Sequence, residues 1–317
     1  MIALNTYSFG LGLGLAKGSK KVMHFKEFIN FSKKNNIKTL EFPIDYFSKK
    51  EKKPIEYYLN LIHLSQFKTI IDLEELNPKI IKKLAELSKI FNYKIIRIKM
   101  SNFFGGNRHL VKNFNQTKIK FIKQLKKSIK IIKNSDVKFA IENHQDLNSK
   151  EIIDIIKQTS VSKVGINWDI ANSLATIETP EEFFKNAKKY IINVHSKDYK
   201  IIKSNDGFYL KRCIIGKGVV DFKKFIKFFK SNNINFSIEL GAHISRHCNF
   251  KNKQFIKSHR LSKTKIKKFK KYLNAKSVDE NPFTEWELHK NLKKSYKNEI
   301  NDVKASINFA KKLYAKK

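Results

Sequence analysis

Four chemically capable side chains stand at or near the ends of four successive apolar runs. Residues 137–146 read VKFAIENHQD, an apolar run that breaks abruptly into Glu142, Asn143, His144, Gln145 and Asp146. Residues 164–169 (VGINWD) end in Asp169, residues 191–195 (IINVH) end in His195, and residues 235–240 (NFSIEL) carry Glu239. From Glu142 to Asp169 is 27 positions, from Asp169 to His195 is 26, and from His195 to Glu239 is 44. The first two intervals match one strand–helix unit each, which would set the side chains next to one another around a barrel mouth. Glu, Asp, His and Glu are ligands for a divalent cation. Three oxygen donors with one imidazole favour Mn²⁺ or Mg²⁺, with Co²⁺ or Zn²⁺ as the alternatives. The carboxylates can also move protons.

The elements that must position these groups alternate along the chain. Strands are expected at 1–9, 39–42, 69–73 and 93–100, and then at the four runs above. Helices lie between them, for example from Phe25, at 55–64, and from Pro78 to Phe91. In the helix over 118–134 the apolar stripe is Ile119, Ile122, Leu125, Ile129 and Ile132. Period two places Arg97 and Lys99 on one face of the fourth strand. Eight strands alternating with helices predict one (β/α)8 TIM barrel over 1–317, with no Pro-, Gly- or Ser-rich linker dividing it. The glycines of 10–18 lack the rest of a dinucleotide fingerprint and read as a rim loop. A long loop is expected from His195 to Gly218, then a helix from Asp221. The basic stretch 241–282 reads as an insertion over the rim after the eighth strand, and 283–317 as the closing helix.

Composition narrows the partners. The formal net charge is +38, but only five of the 66 basic residues are Arg. Arg is the residue suited to bidentate recognition of bases and phosphates, so the lysines read as solvated helix faces rather than a specific nucleic-acid footprint. No apolar run approaches the roughly 20 residues of a membrane span. Met1 to Phe9 reads as a strand rather than a signal peptide. Two cysteines, Cys213 and Cys248, make no disulfide framework and fit a reducing cytoplasm. A homo-oligomer is compatible with the sequence.

The motifs together resemble the sugar phosphate isomerase/epimerase group of the xylose-isomerase-like TIM barrels. The matching pieces are NTYSF (5–9), IENHQD (141–146), NWDIANSLA (167–175) before TPEEF (179–183), VHSKDY (194–199), and GKGVVDF (216–222) with IEL (238–240). The resemblance implies that Glu142, Asp169, His195 and Glu239 bind one divalent metal. It also implies that Glu142 and Glu239 are the proton-transfer pair, acting on a carbohydrate through an enediolate that the metal stabilises. Removal of a proton on one face and return on the other would give an epimerase. Return to the adjacent carbon would give an isomerase, and loss of a β-hydroxyl an inosose-type dehydratase.

The neighbouring groups follow from the same motifs. His144, Asn172, Lys197 and Asp198 are candidate substrate contacts, and Trp168 is expected to pack on the opposite side of its strand. Asn172 stands where the ketose 3-epimerases have a histidine, and Ile201 where they have a substrate arginine. An endonuclease IV-like abasic-site nuclease shares this barrel but needs a three-zinc cluster with further histidines. The early strands here end in Glu41, Asp72 and Met100 instead. A non-catalytic carbohydrate-binding protein would not need both acid/base carboxylates. His243, Arg246, His247 and Cys248 lack the spacing of a closed zinc site.

Overall fold

The strands that carry the candidate ligands are buried on both faces, so they read as nearly continuous apolar runs rather than alternating ones. All six residues of Val164–Asp169 are buried. In the computed structural model, which describes residues 1–315, the strands in chain order are β1 (Ile2–Asn5), β2 (Thr39–Pro43), β3 (Lys68–Asp72), β4 (Ile95–Ile98), β5 (Lys138–Glu142), β6 (Val164–Asp169), β7 (Ile191–Ser196), β8 (Tyr199–Lys203), β9 (Phe208–Arg212), β10 (Phe236–Ile238) and β11 (Arg246–Cys248). Eight of them close into a parallel barrel in the order β1-β10-β7-β6-β5-β4-β3-β2. The expected TIM barrel is therefore present. No described helix is long and apolar enough to cross a membrane.

Local signals explain where the surrounding helices start. Asn77 accepts the backbone amide of Lys79 at 3.0 Å, and Pro78 supplies a preset φ at the first helical position of Pro78–Phe91. Asn148 with Glu151, and Thr179 with Glu182, form capping boxes on Ser149–Thr159 and Pro180–Ala187. Both of these helices begin soon after a ligand-bearing strand, so the caps also fix the rim. Trp168 packs outward as expected, its ring stacked on Phe183 with centroids 5.8 Å apart.

Four expectations are corrected. The first strand stops at Asn5, whose side chain accepts the Tyr7 amide at 2.8 Å and starts a 3₁₀ turn over Thr6–Phe9. The helix expected over 118–134 runs instead from Phe114 to Ile131, and Ile119 is exposed while Phe121, Ile122 and Leu125 are buried. The segment between His195 and Gly218 is an antiparallel hairpin of β8 and β9, extended by β11 into a three-stranded sheet. The stretch 241–282 is thus structured: it supplies β11 and the helices Lys253–Ser258 and Lys263–Lys276. Gly207 in the hairpin turn has no room for a side chain, since a Cβ would lie 1.9 Å from the Cys248 carbonyl oxygen. Finally, the closing segment is two helices, Glu285–His289 and Leu292–Ala315, broken where Lys290 takes φ 48°.

The terminal helix is clasped to the barrel by Glu299. Its carboxylate accepts the amides of Leu11 and Gly12, each at 3.0 Å. Burial raises this carboxyl from its ordinary 4.5 to about 7, although the two amides and Arg212 pull the other way. A carboxyl whose folded pKa lies above its unfolded one costs stability as it ionises. That cost is absent below about pH 4.5 and grows as pH rises to about 7. Glu299→Gln keeps an acceptor oxygen without the charge. Its stability relative to the parent chain should therefore rise between pH 5 and 8 by about 2–3 kcal/mol, measured by urea unfolding at both pH values. A pH-independent difference would refute this assignment.

Candidate active site

Strand register sets the four ligand candidates at nearly one level of the barrel mouth. Asp169 pairs with His195 across β6 and β7, Glu142 pairs with Asn167, and His195 pairs with Ser237, two residues before Glu239. Each of Glu142, Asp169, His195 and Glu239 offers one ligand atom, and these atoms all lie within 4.8 Å of one another. Ligand atoms around a small cation at about 2.1 Å stand roughly 3–4 Å apart, so only a slight contraction is needed. Glu142 Oε1, Asp169 Oδ1 and His195 Nδ1 are all buried with no hydrogen-bond partner. Buried polar atoms rarely stay unsatisfied. Three of them, on three residues of one cluster, fit a divalent cation.

The other atoms of these groups are tied down. His195 Nε2 lies 2.9 Å from Glu41 Oε1, which leaves Nδ1 facing the cluster. Glu41 is in turn bonded by Asn193, whose amide nitrogen is 3.2 Å away. Arg97 donates to Glu142 Oε2 through both Nε and a terminal nitrogen. Lys197 Nζ lies 2.9 Å from Asp169 Oδ2 and 2.7 Å from Glu239 Oε2. The Gly241 amide donates to Glu239 Oε1 at 3.2 Å, and a Cβ at Gly241 would lie 2.2 Å from that oxygen. Burial pushes the Glu239 carboxyl up, but Lys197 and His195 outweigh it and hold the group well below the usual carboxylate range. Burial raises Asp169 to about 7 against the pull of Lys197.

The remaining expected contacts divide. His144 lines the cavity above the cluster, with its ring 5.0 Å from that of Phe104. Burial first, then Lys99 and Arg97, keep it well below its ordinary pKa, so it is a neutral imidazole. Asn172 also lines the cavity but is committed inward. It donates to Asp169 Oδ2 at 2.6 Å and accepts from Gln145 at 2.8 Å and from the Tyr199 hydroxyl at 3.1 Å. Asp198 departs from expectation. Each of its oxygens accepts two backbone amides, those of Tyr199 and Val220 on one and Gly216 and Gly218 on the other, at 2.9–3.1 Å. It ties the base of the hairpin to the loop before the next helix and has no oxygen free for substrate or a second ion. His243, His247 and Cys248 do not converge on a metal site among the described residues.

The structure brings three further groups to the site. Glu41, on β2, orients His195. Arg97 was placed on the same face as Lys99, and both line the cavity, but its pairing with Glu142 spans 45 positions. Arg246, on β11, reaches the cavity only because the insertion pairs with the hairpin.

The fold and site define a parallel barrel with a buried acid–histidine cluster at its C-terminal rim. The pattern of the xylose isomerase-like TIM barrel family matches residues 72–249, and the chain belongs to that family. Among curated proteins it is 34% identical over 90 residues to the uncharacterized protein YihM of Escherichia coli K12, spanning 28% of each chain. It is 22% identical over 108 residues to 3-oxo-isoapionate decarboxylase of Pectobacterium atrosepticum, covering 33% of this chain and 39% of that one. The alignments thus span only a minor part of those relatives' lengths. Among solved structures, D-psicose 3-epimerase of Clostridium cellulolyticum H10, determined with D-tagatose, superposes with a TM-score of 0.60 at 10% identity over 98% of both chains. That likeness is one of fold.

Proposed function

We propose that the protein is a divalent-metal-dependent sugar isomerase or epimerase that moves a carbon-bound proton beside a carbonyl, with Glu142 and Glu239 as the proton-transfer pair. The observation that carries this reading is the convergence of Glu142, Asp169, His195 and Glu239 with three buried ligand atoms left unpartnered. Family membership and the fold shared with a ketose epimerase support a carbohydrate substrate. A cation held by the four residues supplies Lewis-acid stabilisation of the negative charge that develops on the substrate oxygens. Mn²⁺ or Mg²⁺ suits the donor set best.

The chain's own residues do the rest. Glu142 comes from β5 and Glu239 from just beyond β10, with β6 and β7 between them in the barrel order. Their carboxylates stand 3.7 and 3.4 Å from His195 Nδ1; on this reading one takes the proton from the substrate carbon and the other returns it. Arg97 and Lys197 hold the two carboxylates in place, and Lys197 with His195 holds the Glu239 carboxyl well below the usual carboxylate range. The cavity above the cluster, about 360 Å³, is within the range of small-molecule sites.

The test is exchange into solvent. The protein with Mn²⁺ and D-fructose, D-fructuronate or D-fructose 6-phosphate in D₂O should place deuterium on the carbon beside the carbonyl of at least one of them, read by NMR, and chelation should stop it. No label with any of these compounds while metal is bound at the four residues would remove the two-glutamate reading. No metal by elemental analysis would remove the site itself.

A further inference from the structure

The charges around the cavity pair off with one half-buried cation left over. Glu142 is held by Arg97, and Asp169 and Glu239 by Lys197. Glu74, at the rim, takes Lys99 at 2.8 Å. Arg246 also lines the cavity, yet among the described residues it has no carboxylate within ion-pair distance, and its buried Nε has no hydrogen-bond partner. Its guanidinium carbon lies 3.7 Å from the centroid of the Phe104 ring. A stacked guanidinium keeps its in-plane donors free, and those donors match the geometry of a planar or tetrahedral oxyanion.

Both partners in this stack are held in place. Arg246 is fixed by the pairing of β11 with β9, opposite Leu210. Phe104 belongs to the rim loop after β4, anchored where the Gly105 amide donates to Gln145 Oε1 at 2.7 Å and where Asn107 reaches the His247 carbonyl at 2.7 Å. A desolvated cation costs free energy unless a partner meets it. The exposed Lys17 also faces the cavity, so four carboxylates stand against five cations before any metal is bound. A divalent cation in the cluster makes that balance more positive still.

We infer that Arg246, stacked on Phe104, is a specificity-determining residue that binds an oxyanion, carboxylate or phosphate, on the substrate at the end away from the carboxylate cluster. The substrate is thereby a sugar acid or sugar phosphate rather than a neutral ketose. This rests on the sugar-enzyme reading above and narrows its substrate class.

Binding rather than turnover tests it, with the protein carrying Mn²⁺ and the fluorescence of Trp286, which lines the cavity, as the signal. The probes are D-fructose, D-fructuronate and D-fructose 6-phosphate. One of the two anions should bind about 10- to 100-fold more tightly than D-fructose, the range expected for hydrogen bonds to a charged group, and whichever gains identifies the oxyanion. Arg246→Gln should reduce that preference to about threefold or less, leaving D-fructose affinity, metal content and melting temperature unchanged. Arg246→Lys, which keeps the charge without the fork, should retain part of it. Equal affinity for all three compounds, binding of none of them, or a preference that survives Arg246→Gln each overturns the inference. The two readings fail separately. Arg246-dependent anion binding without carbon labelling would sink the isomerase proposal alone, and labelling of D-fructose with no anion preference would sink this one alone.

Discussion

Glu142→Gln and Glu239→Gln should each lower turnover by roughly 10²–10⁴-fold, the usual contribution of a positioned acid–base group. Glutamine keeps an oxygen for the metal and removes the group that accepts the proton, so metal content should fall far less than activity. The single amide oxygen serves either the metal or the former partner, Arg97 at position 142 and the Gly241 amide at 239, so each variant gives up one of these contacts. In single-turnover experiments in D₂O, the parent chain should deliver solvent label to the reacting carbon and both variants should lose the label along with the rate. A product that retains the substrate's own deuterium would mean that hydrogen passes directly between carbons. Two independent variants with unimpaired labelling would assign the proton to some other group.

Lys197→Met should have the largest effect on stability. In the metal-free protein Lys197 is the only basic side chain within ion-pair distance of Asp169, and the same ammonium sits 2.7 Å from Glu239, among the described residues. Removing one partner of a buried ion pair costs about 3–5 kcal/mol, because the charges left behind have no compensation. The variant should therefore unfold at clearly lower urea concentration than the parent chain when both are stripped with EDTA. Adding Mn²⁺ should restore more stability to the variant than to the parent, because a ligand stabilises the folded state in proportion to its affinity for it. Equal midpoints without metal would mean that Lys197 carries little of the compensation. A deficit that Mn²⁺ leaves unchanged would mean that the cation binds elsewhere.

The parts of this molecule that the sequence shows best are those whose signals are local. Asp169 and His195 end strands that pair directly, and the spacing of one strand–helix unit is enough to set them side by side. Pro78 after Asn77 marks a helix start to the residue. The hairpin of β8 and β9 was also locally signalled, by Phe208 and Leu210 alternating with polar residues after an Asn-Asp-Gly turn. It was masked by the expectation that a barrel strand is followed by a loop and a helix. What escaped depends on contacts between distant segments. Glu41 meets His195 across 154 positions, and nothing near either residue announces the other. Asp198 looked like part of a chemical motif because it follows Lys197, yet the turn of the chain sends its side chain to backbone amides. Arg246 could be placed only once β11 was paired.

The three-stranded sheet of β8, β9 and β11 has a consequence for how such a protein diverges. The strands that hold the carboxylates and His195 belong to the barrel, whereas Arg246 belongs to an appendage made by two separate segments of chain. Exchange of both segments with a related barrel would transplant the rim as a unit and leave the chemical centre intact. Exchange of one alone would strand β9 or β11 without its neighbour and expose an unpaired edge prone to association. The two segments should therefore be inherited as a linked pair, and chimaeras that divide them should precipitate where chimaeras that keep them together stay monodisperse.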